Sequence, residues 1–363
     1  MDDPNSALPS DPTVDDSYTK SSRPARPRPR SGAPAASGEG RDRRRDDAPT
    51  PERSSRGRTQ PHAAAREAEK GPAPRRLSED AWYRRKLARR LVGVASCAVL
   101  TWLISHIALA TAHGQVIDTI LMEGMMRSAG KYEAFSTLVT GIVSVPVMVV
   151  VGIVVAIIAA ARRRPTLAGR ALGAVVGANL TTQILKAYVL TRPSLGVTTG
   201  VVNSLPSGHT TVAVTLSLAL IVVAPPWLRS PASWIGWVWT SLMSVSVMME
   251  GWHRPSDAIT AALIAGAWAL ALSPIERRPR HGVKYQRAMV WLCVGLIGVA
   301  VLATLAALWG FSMSAASPGS GYGFEDFLQI RPWRSLVLGV AAVSWVTALC
   351  GLIIHEVDHL AGE

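Results

Sequence analysis

Residues 91–112 read LVGVASCAVLTWLISHIALATA and contain no Asp, Glu, Lys or Arg. A helix needs about 20 predominantly apolar residues to cross a hydrocarbon core about 30 Å thick. This run is therefore long enough to span a membrane. It is the first apolar run in the chain and lies far from Met1, so we expect it to act as an uncleaved anchor rather than a secretory signal peptide.

Further apolar runs of similar length follow along the rest of the chain. They lie near residues 136–161, 167–188, 209–226, 232–252, 257–274, 289–311 and 335–355. Spanning helices satisfy their own backbone hydrogen bonds, which lipid cannot do for them. The sequence therefore predicts an all-α polytopic membrane bundle of eight spans. Small residues in 173–178 and 261–267 favour close helix packing.

The first 85 residues have a different composition, rich in Arg, Asp, Pro, Ser and Ala. They hold too few large apolar side chains to offset the entropy lost on ordering. We therefore predict a disordered, basic and Pro-rich tail. Its segment 23–30, RPARPRPR, is either simply solvated or attracted to anionic lipid headgroups.

The distribution of Lys and Arg among the short connections predicts how the bundle is oriented in the membrane, because cytoplasmic loops carry an excess of both residues. With eight spans, the basic clusters all fall on one side. They are Arg84, Arg85, Lys86, Arg89 and Arg90; Arg162, Arg163, Arg164 and Arg170; Arg229; and Arg277, Arg278, Arg280, Lys284 and Arg287. We expect that side and both termini to be cytoplasmic.

Three polar segments interrupt the apolar background. They are KAYVLTRP at 186–193, NSLPSGH at 203–209 and GWHRPSD at 251–257. Two predicted spans separate the last two segments, so the chain returns to the same face between them. The eight-span topology therefore predicts that all three segments meet at the extracytoplasmic face.

Together these segments have the composition of a phosphate site. A lone Lys186 or Arg192 would more often be an interfacial anchor. As a pair, they can hold the negative charge of a phosphoryl group in transfer. Ser207 and Gly208 lie at a predicted helix start, where backbone N–H groups and the helix dipole favour an anion.

The two histidines suit phosphoryl transfer through a covalent intermediate. His253 and Asp257 are four residues apart, so the carboxylate can fix one ring nitrogen and leave the other free to attack. His209 can then serve as general acid and later as general base. We see no cluster with metal-ligand spacing and predict no metal or cofactor. Cys97, Cys293 and Cys350 fall within apolar runs, and we expect them to be small buried hydrophobes.

These motifs resemble the type 2 phosphatidic acid phosphatase family, which is related to the soluble vanadium haloperoxidases. The family's Lys and later Arg-Pro are matched by Lys186 and 192–193, its Pro-Ser-Gly-His by 206–209, and its His and later Asp by His253 and Asp257. The resemblance covers about residues 136–275. It implies a phosphohistidine on His253, proton transfer by His209 and phosphate contacts from Lys186, Arg192, Ser207 and Gly208.

The resemblance also implies a domain plan. We expect a six-helix phosphatase core over 86–280 and two further spans over 281–363. The loop 312–333 either covers the site or is an ordinary flexible connection.

The sequence departs from the family pattern at two places. The spacing from Lys186 to Arg192 and Pro193 is one residue shorter than usual. The alternative is that Arg192 matches an earlier Arg of that motif, with Ser194-Leu195 where its second Arg-Pro would be. The third motif normally begins Ser-Arg, six residues before the histidine, but here that place reads Ser246-Val247. Arg254 is the nearest candidate replacement for the missing cation; the alternative is that it anchors the bundle at the headgroups.

The predicted function is a metal-independent phosphatase of lipid phosphates or polyprenyl diphosphates. One alternative is a catalytically degenerate protein that binds lipid phosphate, which the missing Arg favours. Another is a lipid phosphotransferase, in which an acceptor other than water takes the phosphoryl group. A haloperoxidase does not fit a core embedded in the membrane. The expected partners are the membrane and a lipid phosphate, and we expect no nucleic acid.

Overall fold

A computed structural model of the protein describes residues 78–130, 132–143, 145–197, 203–275, 282–311 and 324–361. Within these ranges the chain is helical and contains no strand. The predicted tail lies almost wholly outside the described residues, as do all of residues 277–280 of the last basic cluster and most of the loop 312–333. The helices are α1 (Glu79–Ala110), α2 (Ala112–Ala129), α3 (Glu133–Ile142), α4 (Val145–Ala161), α5 (Pro165–Ile184), α6 (Gly208–Val223), α7 (Pro226–Met249), α8 (Pro255–Leu272), α9 (Val283–Ala307), α10 (Glu325–Ile330) and α11 (Trp333–Ala361).

Four of the described helices are long and apolar enough to cross a membrane. They are α1, α8, α9 and α11. Most side chains of α1 and α9 face outward, including Trp102 and Leu302, which are 65% and 69% exposed. Large apolar surfaces of this kind fit contact with lipid rather than with water. The all-α membrane bundle is therefore confirmed, while the count of eight spans stays a prediction.

The predicted second span is interrupted. Where the sequence predicted one helix over 136–161, α3 ends at Ile142 and α4 begins at Val145. Pro146 lacks the N–H that a continuing helix would need, but it is tolerated in the first turn of a new one. The proline therefore marks a helix start inside the apolar run.

Helix α2 was not predicted, because its polar residues do not suit lipid. It carries Gln115, Asp118 and Glu123 in a segment assigned to a connection. Thr111 caps it, accepting a hydrogen bond from the Gly114 N–H at 3.0 Å. Helix α2 packs against α1, α7, α8 and α11, so its polar residues lie within the bundle rather than in a loop.

Helices α6 and α8 form the centre of the bundle. Helix α6 packs against α4, α5, α7, α8 and α11, and α8 packs against α1, α5, α6 and α11. The predicted close packing of small residues is confirmed, since a Cβ on Gly177 would lie 2.7 Å from the Trp268 ring. A Cβ on Gly266 would likewise lie 2.7 Å from Ile353. These glycines let the helix backbones approach closely.

The C-terminal helix is part of this bundle. Helix α11 packs against α2, α7 and α8, and the Trp237 indole donates a hydrogen bond to the Thr347 carbonyl at 2.7 Å. The three cysteines are buried and form no disulfide, as predicted. Arg229 is not a loop residue, because it lies buried in α7, where the charge of Asp358 interacts with it.

Candidate active site

The Asp257 carboxylate joins two of the three polar segments. It lies in the first turn of α8 and is buried. Its Oδ2 accepts hydrogen bonds from the Arg254 N–H at 2.9 Å and from the Ser204 hydroxyl, and it lies 3.1 Å from His253 Nδ1. Ser204 belongs to the segment that precedes α6, so this one carboxylate fixes that segment against the start of α8.

The His253 ring is held by Asp257, and the His253 backbone is held by Val247. Asp257 holds Nδ1, and the His253 backbone N–H donates to the Val247 carbonyl at 3.2 Å. A carboxylate at Nδ1 places the ring proton there and leaves Nε2 as a free lone pair. The ring is therefore oriented as a nucleophile requires, with only 6% of the residue exposed.

His209 lies in the first turn of α6, half-buried beside Trp252. The two ring centroids are 5.6 Å apart. The charges of His253 and Lys186 both act on the His209 ring. The structure thus brings the two imidazoles and Lys186 to one place, although they come from the start of α6, the turn before α8 and the π-helical turn after α5.

Ser207 caps α6 and is fully buried. Its hydroxyl accepts the Thr210 N–H at 3.3 Å, and its own N–H donates to the Asp257 carbonyl at 3.1 Å. The Ser207 N–H is therefore already paired, and the phosphate contact expected of Ser207 stays a prediction. The N–H groups of Gly208 and His209 are in the first turn, where the helix offers them no carbonyl. A Cβ on Gly208 would meet only Gln183, at 3.7 Å, so a ligand can approach the backbone there.

Lys186 and Arg192 follow α5 on an irregular segment. Leu185–Val189 forms a π-helical turn that carries Lys186, a type of distortion common at functional sites. Arg192 donates from Nη2 to the Thr119 hydroxyl at 3.3 Å, while its buried Nη1 has no hydrogen-bond partner among the described residues. Burial, followed by the charge of Arg254, lowers the pKa of Arg192 to about 10. A buried cationic donor that lacks an acceptor fits an anionic ligand.

Arg254 is buried with only 1% of its surface exposed. Its Nη1 donates to the Ser204 hydroxyl at 2.9 Å, and its charge interacts with that of Arg192. This placement does not fit an exposed anchor at the headgroups. The side chain of Val247 is fully buried in an apolar cluster with Val139, Ala213 and Met243, so it turns away from the polar groups.

The site thus contains a carboxylate-oriented imidazole, a second imidazole and three cationic side chains. A model of the PAP2 superfamily matches residues 94–281, which is more than half of the chain. The chain belongs to the PAP2 superfamily. The match includes all three polar segments. It begins at residue 94, whereas the resemblance seen in the motifs began near residue 136. Neither the curated proteins nor the solved structures gave a match.

Membership of the PAP2 superfamily supports a phosphatase-type activity. The matched region begins within α1 and ends before α9. It therefore contains α2, the helix that the sequence pattern did not reveal. Helices α9, α10 and α11 lie outside it.

Asp118 of α2 contacts the candidate site and was missed by the sequence reasoning. Its carboxylate accepts hydrogen bonds from both the backbone N–H of Ser256, at 3.0 Å, and the Ser256 hydroxyl. Burial, followed by the charge of Asp257, raises the pKa of Asp118 to about 6. Asp118 thus holds the first turn of α8 between His253 and Asp257. The only sequence signal was a run of polar residues in a presumed connection.

We expect stability to depend on pH through Asp118. Folding raises the pKa of this carboxyl, so ionisation of Asp118 destabilises the folded state. The protonated carboxyl contributes its full stability below pH 4, and this contribution is lost as the pH rises through about 6. Relative to Asp118→Asn, the wild type should lose up to about 3 kcal/mol between pH 4 and pH 7. Unfolding in detergent, followed for both proteins across this range, measures the difference. If the stability of both proteins changed with pH in the same way, the prediction would be contradicted.

Proposed function

We propose that the protein is a metal-independent phosphatase of membrane lipid phosphates, or of polyprenyl diphosphates, that works through a phosphohistidine on His253. The observation that carries this proposal is the His253–Asp257 contact at 3.1 Å beside three cationic side chains. The bundle contains long apolar helices, among them α8, which begins at the site, and they favour a lipid as the substrate.

In the first step, Lys186, Arg192 and Arg254 hold the phosphate oxygens, together with the N–H groups at the start of α6. His253 Nε2 attacks phosphorus, and the bond from phosphorus to the leaving oxygen breaks. His209 protonates that oxygen, so the lipid leaves as an alcohol, or as a monophosphate when the substrate is a diphosphate.

In the second step, water attacks phosphorus and the bond to His253 breaks. His209, now neutral, takes the proton from the water. Inorganic phosphate leaves, and both histidines return to their starting states. Cations and first-turn N–H groups stabilise the charge on the transferring phosphoryl group in both steps.

Phosphate release from a panel of lipids tests this function. Purified protein in mixed micelles is given phosphatidic acid, phosphatidylglycerol phosphate or polyprenyl diphosphate, with a chelator present. We expect release that the chelator does not reduce. Tight lipid binding without release would identify the degenerate binder instead. Transfer of labelled phosphate to an alcohol rather than to water would identify a phosphotransferase.

We also propose that the site faces outward, with the N-terminal tail in the cytoplasm. Ser194, beside Arg192, and Lys284, at the start of α9, are both exposed. In a protein whose three native cysteines are replaced by alanine, Ser194→Cys should react with an impermeant thiol reagent on intact cells. Lys284→Cys should react only after permeabilisation. The reverse pattern would place the site in the cytoplasm.

A further inference from the structure

A cavity of about 430 Å³ lies at the opposite end of the bundle from the candidate active site. Its lining includes Arg90 of α1, Arg170 of α5 and Ser273, which follows α8. Helix α8 begins at the candidate site, and Ser273 lies about 24 Å along it from Asp257, at about 1.5 Å per residue. The cavity is therefore too far from the candidate site to hold the same ligand.

The cavity lies where the apolar part of α1 begins. Arg90 directly precedes residues 91–112, which contain no Asp, Glu, Lys or Arg. Tyr83, one of the lining residues, is 49% exposed. Arginine and tyrosine are both typical of the boundary between hydrocarbon and headgroups. The cavity thus lies at the depth of the phosphate groups of one leaflet.

Arg90 is the buried cation of this cavity. It is 7% exposed, and its Nη1 and Nη2 donate to the Ser273 carbonyl and, at 3.0 Å, to the Pro274 carbonyl. These bonds fix its guanidinium against the end of α8. Each terminal nitrogen of an arginine carries two N–H groups, so Arg90 keeps further donors after these two bonds.

Arg170 is the exposed cation of the same cavity. It forms no hydrogen bond with the described residues, although its charge acts on Arg90. Neither arginine forms an ion pair with a carboxylate in the described part of the chain. Two like charges at one cavity repel each other when no counter-ion is present. A bound anion would offset this repulsion.

The remaining lining residues suit a phosphate group. Tyr83 and Thr166 are exposed and bring hydroxyls to the cavity, and neither hydroxyl is bonded to a described residue. A phosphate has several acceptor oxygens, and the planar fork of an arginine can hold two of them at once. A volume of about 430 Å³ is ample for a phosphate with a small group attached.

We propose that this cavity is a second anion site, which binds a phosphate group between α1, α5 and the end of α8. Arg170 and Arg90 hold the oxygens, and the hydroxyls of Tyr83 and Thr166 add donors. Two sources of this group reach the cavity, the headgroup of an anionic phospholipid and inorganic phosphate. Basic pockets between membrane helices bind anionic headgroups, so we expect the lipid. The proposal does not depend on the proposed phosphatase function.

Thermal unfolding of the purified protein in a neutral detergent tests the site, because a ligand of the folded state raises Tm. We expect dioleoyl phosphatidylglycerol to raise Tm. Dioleoyl phosphatidylcholine should raise it much less, because its choline cation would face two arginines. Arg170→Gln should increase about tenfold the phosphatidylglycerol concentration that gives half of the effect, the cost of one hydrogen bond to a charged group. Arg170→Lys should recover part of this loss.

Arg85→Gln is the matched control, because Arg85 is exposed at the same end of the bundle and does not line the cavity. It should change the half-effect concentration by less than about twofold. A rise in Tm with inorganic phosphate that Arg170→Gln removes would identify free phosphate as the ligand of the same site.

Three results would overturn the proposal. The first is that neither phosphatidylglycerol nor inorganic phosphate raises the Tm of the wild type. The second is that Arg170→Gln responds to both as Arg85→Gln does. The third is that Arg192→Ala, rather than Arg170→Gln, removes the response, which would place the lipid in the candidate active site.

Discussion

His253→Ala should lower phosphate release by at least about 10⁴-fold, because it removes the atom that forms the covalent intermediate. Asp257 holds the ring at Nδ1, so the opposite nitrogen, Nε2, is the nucleophile that we propose. Brief reaction with a substrate labelled in the phosphate, followed by alkaline quenching, should leave label on the wild-type protein and none on the variant.

His209→Ala is the matched comparison, since in the proposed mechanism His209 acts on the leaving oxygen rather than on phosphorus. This variant should slow formation of the intermediate on a lipid phosphate. The loss should be smallest with a substrate such as p-nitrophenyl phosphate, whose leaving group needs no proton. It should still trap label on His253. Near-normal turnover by His253→Ala, or label retained in it, would show that the nucleophile lies elsewhere.

The parts of the site that depend on local spacing could be predicted from the sequence. His253 and Asp257 are four residues apart across the start of α8, and that spacing alone brings their side chains together. The start of α6 at Gly208 follows from Ser207 as its cap. Long apolar runs predicted the helices and the membrane bundle, because length and hydropathy are what a bilayer selects.

The parts that depend on tertiary contacts could not be predicted. Asp118 reaches Ser256 from a helix that the hydropathy pattern does not reveal, and Ser204 reaches Asp257 across the bundle. Nothing in the order of residues indicates that the Ser207 N–H is taken by the Asp257 carbonyl. Such pairings become visible only when packing fixes which buried donors and acceptors meet.

Loss of Arg254 is the other change that we expect to have a large effect on activity. The family's usual Arg is replaced by Val247, so the transferring phosphoryl group lacks one expected donor. The structure places the Arg254 guanidinium in the interior, 2.9 Å from the Ser204 hydroxyl and in electrostatic contact with Arg192. Two like charges held close together in a buried region repel each other, and a bound phosphate would relieve that repulsion.

We therefore expect Arg254→Ala to lower kcat/KM by about 100- to 1000-fold, the usual cost of losing one donor to transition-state charge. Arg254→Lys should recover part of the loss, because it keeps the charge but not the planar fork. Arg331→Ala is a control for general loss of positive charge, since Arg331 is exposed just before α11. Unfolding curves of each variant separate lost turnover from lost stability.

Restoring the family's Arg at position 247 should not rescue Arg254→Ala. Val247 is fully buried among Val139, Ala213 and Met243, so an Arg there would bring an unpaired charge into an apolar cluster. We expect Val247→Arg to unfold more readily than the wild type and to gain no activity. If the wild type is inactive and Val247→Arg is active, the protein is a degenerate binder that has lost one catalytic cation. If Arg254→Ala turns over as fast as the wild type, Lys186 and Arg192 carry the phosphate alone, and the Val247 departure has no catalytic cost.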